Sequence, residues 1–142
     1  MNTKADPLAQ SEFSLWTGLD EQGATTEVFT PLLSKVGVTQ ENIDDLVVAV
    51  RASIRGALAT KNHYGTSLKV RNKGGGEPVT EADYASNQAI LHILRETCPE
   101  DLILSEESTA PSKVANCGRM WVVDPLDGTK EFIAQNGEFS TM

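Results

Sequence analysis

Three groups of carboxylates stand at the ends of predicted elements: Asp83 at the start of a helical pattern, Glu106 and Glu107 after one short apolar run, and Asp124 with Asp127 after the next. Such positions are where α/β folds hold their functional residues. In Asp124-Pro125-Leu126-Asp127-Gly128-Thr129 the aspartates are three apart, Pro125 fixes one backbone angle and Gly128 permits a sharp bend, so both carboxylates can point at one spot. Convergent carboxylates repel, and the arrangement is stable only where some stay protonated or a cation sits between them. Oxygen donors without nearby His or Cys select a hard ion such as Mg²⁺. The N–H groups of Gly128 and Thr129 open a predicted helical turn, where unpaired amides and the helix dipole favour an anion. Mg²⁺ beside a phosphate cradle means phosphate chemistry: with two ions roughly 4 Å apart, one lowers the pKa of a water and the other stabilises the leaving oxygen. Asp83 and the Thr129 hydroxyl are then candidates for holding and deprotonating that water. A plainer reading stands beside this one, because Asp-Pro-x-Asp-Gly alone is commonly a solvated turn and Glu106-Glu107 can be a charged strand end. The ordered combination, with apolar runs directly before both acidic clusters, favours the chemical reading.

These groups need elements to position them. From Thr39, a plausible N-cap, Ile43, Leu46, Val47, Val50, Ile54 and Leu58 form one stripe of an amphipathic helix that ends near Gly65. A short strand over Ser67 to Arg71 runs into the flexible turn Asn72-Lys73-Gly74-Gly75-Gly76, closed by Pro78. A second helix follows Thr80, with Ala82, Ala85, Ala89, Ile90, Ile93 and Leu94 on one side, and stops before Pro99. Leu102-Ile103-Leu104 and Met120-Trp121-Val122-Val123 suit buried strands, and Ser108 to Gly118 reads as a polar surface loop. A brief helical turn passes through Phe132, Asn136-Gly137 turns the chain, and Glu138 to Met142 opens a further strand that is expected to lack a ladder partner. Residues 1–28 carry neither period and read as a poorly ordered extension, leaving 29–142 as the front portion of a longer domain.

Composition bounds the function classes. The 142 residues carry 12 Lys+Arg and 20 Asp+Glu, a formal net charge of −8, with 39% apolar and 23% charged residues, as expected of a globular chain. Without a basic block, a nucleic-acid polymer or an anionic membrane is a poor partner. The run Val47-Val48-Ala49-Val50 is far short of the ~20 residues that span a bilayer, and no secretion signal is seen. Cytoplasmic location follows as the expectation, with Cys98 and Cys117 as reduced, inert thiols. His63 and His92 have no partner at metal-binding spacing and read as structural or surface residues, and Trp16 and Trp121 as packing residues.

Pro78-Val79-Thr80-Glu81-Ala82-Asp83, Leu104-Ser105-Glu106-Glu107-Ser108 and Trp121-Val122-Val123-Asp124-Pro125-Leu126-Asp127-Gly128-Thr129 resemble, in order and spacing, the three N-terminal signatures of the inositol monophosphatase superfamily of Mg²⁺-dependent, lithium-sensitive phosphatases. Lys130-Glu131-Phe132-Ile133 followed by Asn136-Gly137-Glu138-Phe139 is similar to its 3'(2'),5'-bisphosphate nucleotidase branch, bacterial enzymes of sulfate assimilation. The resemblance covers about residues 40 to 142. It implies an α/β (α+β) layered α-β-α-β-α sandwich, of which the N-terminal portion is present. It also implies two or more Mg²⁺ ions held by Glu106, Asp124, the Leu126 carbonyl and Asp127, with Asp83 and Thr129 on the nucleophilic water and the Gly128 and Thr129 amides on phosphate. Glu107 either orients a ligand or is solvated; Lys130 and Glu131 mark the branch, and their contact with substrate stays open.

The implied reaction is hydrolysis of the 3'-phosphate of adenosine 3',5'-bisphosphate to AMP and phosphate. One alternative is an inositol or other sugar monophosphate as substrate. Another is an inactive fragment that binds metal or a partner, since the family's Trp-Asp motif, which completes the second metal site, and most substrate contacts lie in a C-terminal half that these residues do not include. The 142-residue chain by itself is therefore expected to show little or no turnover.

Overall fold

The computed structural model describes residues 26–109 and 118–142. Two compact units divide between Val47 and Val48. In the first, helix α1 (Thr26–Leu33) is followed by a single 3-10 turn, Ser34–Val36, which Gly37 ends at φ 82°. Residues 26 to 28 are thus helical, a correction to the expected extension; Glu27 in the first turn suits the helix dipole, and eight residues are too few to display a period. The rest of that extension, with Trp16, lies outside the described residues, as do Cys117 and most of the expected 108–118 loop.

Helix α2 (Gln40–Lys61) begins where expected, with the Thr39 hydroxyl accepting from the Asn42 N–H at 3.4 Å. Ile43 and Val47 of the apolar stripe are buried as expected, but the rest of the buried face differs from it. Leu46 and Leu58 are exposed, whereas Val48, Ala52, Gly56 and Thr60, spaced four apart, are buried. The reason is close approach: a Cβ on Gly56 would stand 2.7 Å from Ser86 Oγ and 2.8 Å from Ile90, so a small-residue face wins over the larger side chains.

Strands β1 (Arg71–Asn72) and β2 (Pro78–Val79) form an antiparallel pair, extended by the Lys73 N–H donating to Glu77 O at 2.7 Å. The strand expected over Ser67 to Arg71 is therefore displaced toward the turn, because only residues with a ladder partner are strand. Helix α3 (Glu81–Thr97) starts in a capping box: the Thr80 hydroxyl accepts from Ala82 N–H, and Asp83 Oδ2 accepts from Thr80 N–H at 2.7 Å.

Strands β3 (Leu102–Ser105) and β4 (Met120–Val123) run parallel, with Leu102 beside Met120 and Ser105 beside Val123. Helix α4 (Thr129–Ala134) follows the acidic turn. Gln135 (φ 56°) and Gly137 (φ 83°) then reverse the chain, and Ser140 and Met142 pair antiparallel with Asp127 and Asp124. The last segment does have a ladder partner, contrary to expectation: the acidic turn itself. Among the described residues the strands form two separate pairs.

One core cluster joins Val48, Ala52, Ile90, Leu94, Cys98 and Val123, against which Trp121 packs; a second joins Ala82, Leu126 and Phe132. Trp121 also donates to Asp101 Oδ2 at 2.8 Å. Tyr64, Phe132 and Phe139 stack over the second cluster with ring centroids 4.9 to 5.3 Å apart. His92, on the exposed face of α3, lies 3.6 Å from Glu96. Among the described residues no helix is long and apolar enough to cross a membrane.

Candidate active site

Helix α3 turns polar side chains inward at its N-terminal end. Asp83, Ser86 and Asn87, one helical turn apart, are all buried, and each holds a different piece of the acidic region. The carboxylate of Asp83 accepts from Thr80 N–H and Thr80 Oγ1 (2.6 Å) through one oxygen and from Thr129 Oγ1 at 2.9 Å through the other. The Ser86 hydroxyl donates to Pro125 O at 2.8 Å, pinning the Asp124–Asp127 turn to the helix. Asn87 accepts from Ser105 Oγ at 2.6 Å and donates to Ser108 Oγ at 3.1 Å, fixing the chain on both sides of Glu106-Glu107.

The turn after β4 is shaped by its own residues. Asp124 Oδ1 accepts from Leu126 N–H at 3.2 Å, and the Leu126 carbonyl faces Thr129 Oγ1 at 3.2 Å. Gly128 takes φ 83°, and a Cβ there would stand 2.8 Å from Glu138 O, so both conformation and space demand glycine. The result is a cleft of about 220 Å³ lined by Glu106, Asp124, Leu126, Asp127, Gly128 and Thr129, with Lys130, Glu131, Glu77 and Pro78 at its edges. Glu107 is not among the lining residues. Its side chain is only 4% exposed and pairs with Lys73, which excludes the solvated reading.

Burial pushes the Asp124 carboxyl up to about 6, and the negative charge of Glu106 and Asp127 adds to this, against the Leu126 N–H, which favours the carboxylate. Glu107 is also raised, by burial first, with Lys73 opposing. Lys73 is itself raised: burial pulls it down, but hydrogen bonds to Glu106 and Glu107 outweigh that. Lys73 Nζ lies 2.7 Å from Glu106 Oε1 and also donates to Glu107 Oε1.

Among the described residues no three His, Cys, Asp or Glu side chains stand close enough, as they are, to hold one ion. Glu106 and Asp124 stand next to each other, and each also takes a donor from the chain, Glu106 from Lys73 and Asp124 from the Leu126 amide. The donor chemistry nonetheless suits a hard divalent cation. Three carboxylates and a backbone carbonyl line one cleft with no histidine or cysteine among them, and Asp124 is raised first by burial and further by the neighbouring charges of Glu106 and Asp127.

Sequence reasoning missed Lys73, Ser86 and Asn87. Lys73 lay hidden in a turn read only for its glycines; Ser86 and Asn87 could have been found from their i+3 and i+4 spacing to Asp83.

Residues 41–142 match the inositol monophosphatase family. Over 74 residues the chain is 46% identical to the 3'(2'),5'-bisphosphate nucleotidase CysQ of Escherichia coli K12, covering 51% of this chain and 30% of that protein. The extragenic suppressor protein suhB of Bartonella henselae superposes with a TM-score of 0.63 and 28% identity, over 69% of this chain and 38% of that one. The Thermotoga maritima IMPase TM1415 superposes with a TM-score of 0.61 and 27% identity, over 69% and 37%. The match to the bisphosphate nucleotidases thus spans about 30% of their length.

Proposed function

The chain belongs to the inositol monophosphatase family, and from that premise we propose that its acidic cleft carries out metal-dependent hydrolysis of a small phosphate monoester. The observation that carries the reading is the hydrogen bond from Thr129 Oγ1 to Asp83 Oδ1 beside a cleft of carboxylates. Divalent ions, Mg²⁺ by the donor set, would be held by Glu106, Asp124, Asp127 and the Leu126 carbonyl, and would polarise the phosphoryl oxygens and lower the pKa of a water.

The chain's own residues supply the rest. Thr129 Oγ1, with its proton committed to Asp83, presents lone pairs that orient a water for attack on phosphorus. As the P–O bond forms, the water's proton passes to Thr129 Oγ1 and the threonine proton to Asp83 Oδ1. The ester oxygen departs with its bonding pair and is protonated by solvent. The Gly128 and Thr129 amides receive the phosphate oxygens, and Lys130 and Glu131 at the cleft edge face the remainder of the substrate.

The substrate we propose is adenosine 3',5'-bisphosphate, supported by 46% identity to the E. coli bisphosphate nucleotidase. A sugar monophosphate is the second reading, supported by the likeness to the T. maritima IMPase. The test is phosphate release from adenosine 3',5'-bisphosphate and from inositol 1-phosphate, with Mg²⁺, with EDTA and with added Li⁺. It is run on the 142-residue chain and on the longest chain its reading frame encodes. Faster, EDTA-abolished release from the nucleotide supports the first reading, and equal or reversed preference moves the assignment to the sugar phosphate. No metal-dependent release from either by the longest chain overturns the proposal.

A further inference from the structure

A positive charge stands beside the cleft, on a residue that does not line it but pairs with Glu106, which does. Lys73 Nζ bridges Glu106 and Glu107, and the lysine side chain is 23% exposed. Glu106 is also one of the cleft's oxygen donors, and an ammonium group 2.7 Å from its Oε1 repels any divalent ion that approaches the same carboxylate. The lysine sits on a glycine-rich turn with open space around it. Gly74, Gly75 and Gly76 meet nothing within 4 Å of an added Cβ, Gly75 and Gly76 have φ of 105° and 86°, and the Gly76 N–H donates to Lys73 O at 3.1 Å. At these glycines nothing packs on the turn.

We propose that Lys73 is a tethered counter-ion: it neutralises Glu106 and Glu107 until a divalent cation enters the cleft, which displaces it and releases the β1–β2 turn. The inference rests on the metal-site reading above and assigns a role to a residue outside the proposed ligand set. Its physical basis is competition. A mobile single charge is exchanged for a double one, so Lys73 weakens cation binding while preventing the carboxylates from repelling each other when no cation is bound.

The test is Mn²⁺ binding followed by electron paramagnetic resonance for the 142-residue chain and its Lys73→Gln, Lys73→Arg and Glu106→Gln variants. Lys73→Gln should bind Mn²⁺ about three- to tenfold more tightly, the range expected for removing a part-buried ion-pair competitor. Lys73→Arg should stay within about twofold of the parent, because it keeps the charge. Glu106→Gln should lose binding. Equal or weaker binding by Lys73→Gln, with the parent binding, overturns the counter-ion role and leaves the metal-site reading intact. No binding by the parent or Lys73→Gln overturns both. A readout on the unmutated chain covers the case in which a variant fails to fold: Mg²⁺ should speed amide exchange over residues 73–76. Unchanged or slower exchange there would overturn the proposal.

Discussion

Asp83 serves the fold and the proposed chemistry through different oxygens: one caps helix α3 through Thr80, the other accepts from Thr129. The two roles separate by mutation. Asp83→Ala removes a buried cap and orphans the Thr80 N–H, and should cost about 2–4 kcal/mol in a denaturant titration. Thr129→Val removes the hydroxyl that donates to Asp83 Oδ1 and also lies 3.2 Å from the Leu126 carbonyl. It should cost about 1 kcal/mol yet lower phosphate release by ~10²-fold or more in the longest encoded chain, with Thr129→Ser retaining most of it. Equal losses in Thr129→Val and Thr129→Ser would refute the hydroxyl's role. Asp124 gives a pH signature. With its carboxyl raised from 3.8 to about 6, the folded chain keeps a proton that the unfolded chain has lost between those values. Asp124 therefore lowers stability as pH rises through that window, and its penalty is absent below it. Measured in EDTA by calorimetry, Asp124→Asn should have a flatter dependence of Tm on pH than the parent between about pH 4 and 7, and a higher Tm near pH 7. The same substitution should weaken Mn²⁺ binding, as expected of a charge kept for a ligand rather than for stability.

Two glycines decide how the elements carrying these residues fit together. Gly128 has a positive φ and a neighbour carbonyl 2.8 Å from where a Cβ would stand, so Gly128→Ala should cost about 2–4 kcal/mol by denaturant titration. Gly65 has a similar φ of 75° but open space around it, so Gly65→Ala should cost only about 1 kcal/mol. Similar costs at the two sites would mean that backbone strain alone governs both. Gly56→Ala tests the α2–α3 approach. Alanine favours helix, but its Cβ must push aside Ser86, which holds the acidic turn through Pro125 O, so the net effect should be destabilising. These elements were partly legible. Thr39 and Thr80 are caps recognisable from residue type and position, and α2, α3, β3 and β4 lie where periodicity or short apolar runs put them. The buried face of α2 was legible at Ile43 and Val47 but not beyond them, because hydrophobicity favours Leu46 and Leu58, whereas close contact with α3 selects Ala52 and Gly56.

For the molecule as a whole, the proposed cation site predicts a linkage between binding and folding. Mg²⁺ at about one hundred times its dissociation constant should raise unfolding free energy by about 2.7 kcal/mol, and EDTA should reverse it. Glu106→Gln should remove the effect, and a Mg²⁺-induced rise in Tm that survives this substitution would move the ion elsewhere. The net charge of −8 also predicts that binding weakens with added salt. On β4, Met120 and Val122 are 45% and 71% exposed, so the paired strands leave apolar surface toward solvent.

What the sequence alone determined was local chemistry: the caps, the two helices, the apolar strands, and an ordered series of acidic motifs with the all-oxygen donor set that goes with a hard cation. These depend on residue type and short spacing, which a linear reading contains. Tertiary structure alone decided which distant groups meet. Thr129 reaches Asp83 across 46 residues, Lys73 reaches Glu106 across 33, and the final segment returns to pair with the acidic turn. Those meetings arise from helix packing, chain reversal at Gln135 and Gly137, and the search of repelling carboxylates for a counter-charge. Of these, the Asn136-Gly137 turn and the pairing of Asp83 with Thr129 were foreshadowed by residue type; the Lys73 contact and the partner of the last segment were not, because they depend on groups brought together only once the chain has folded.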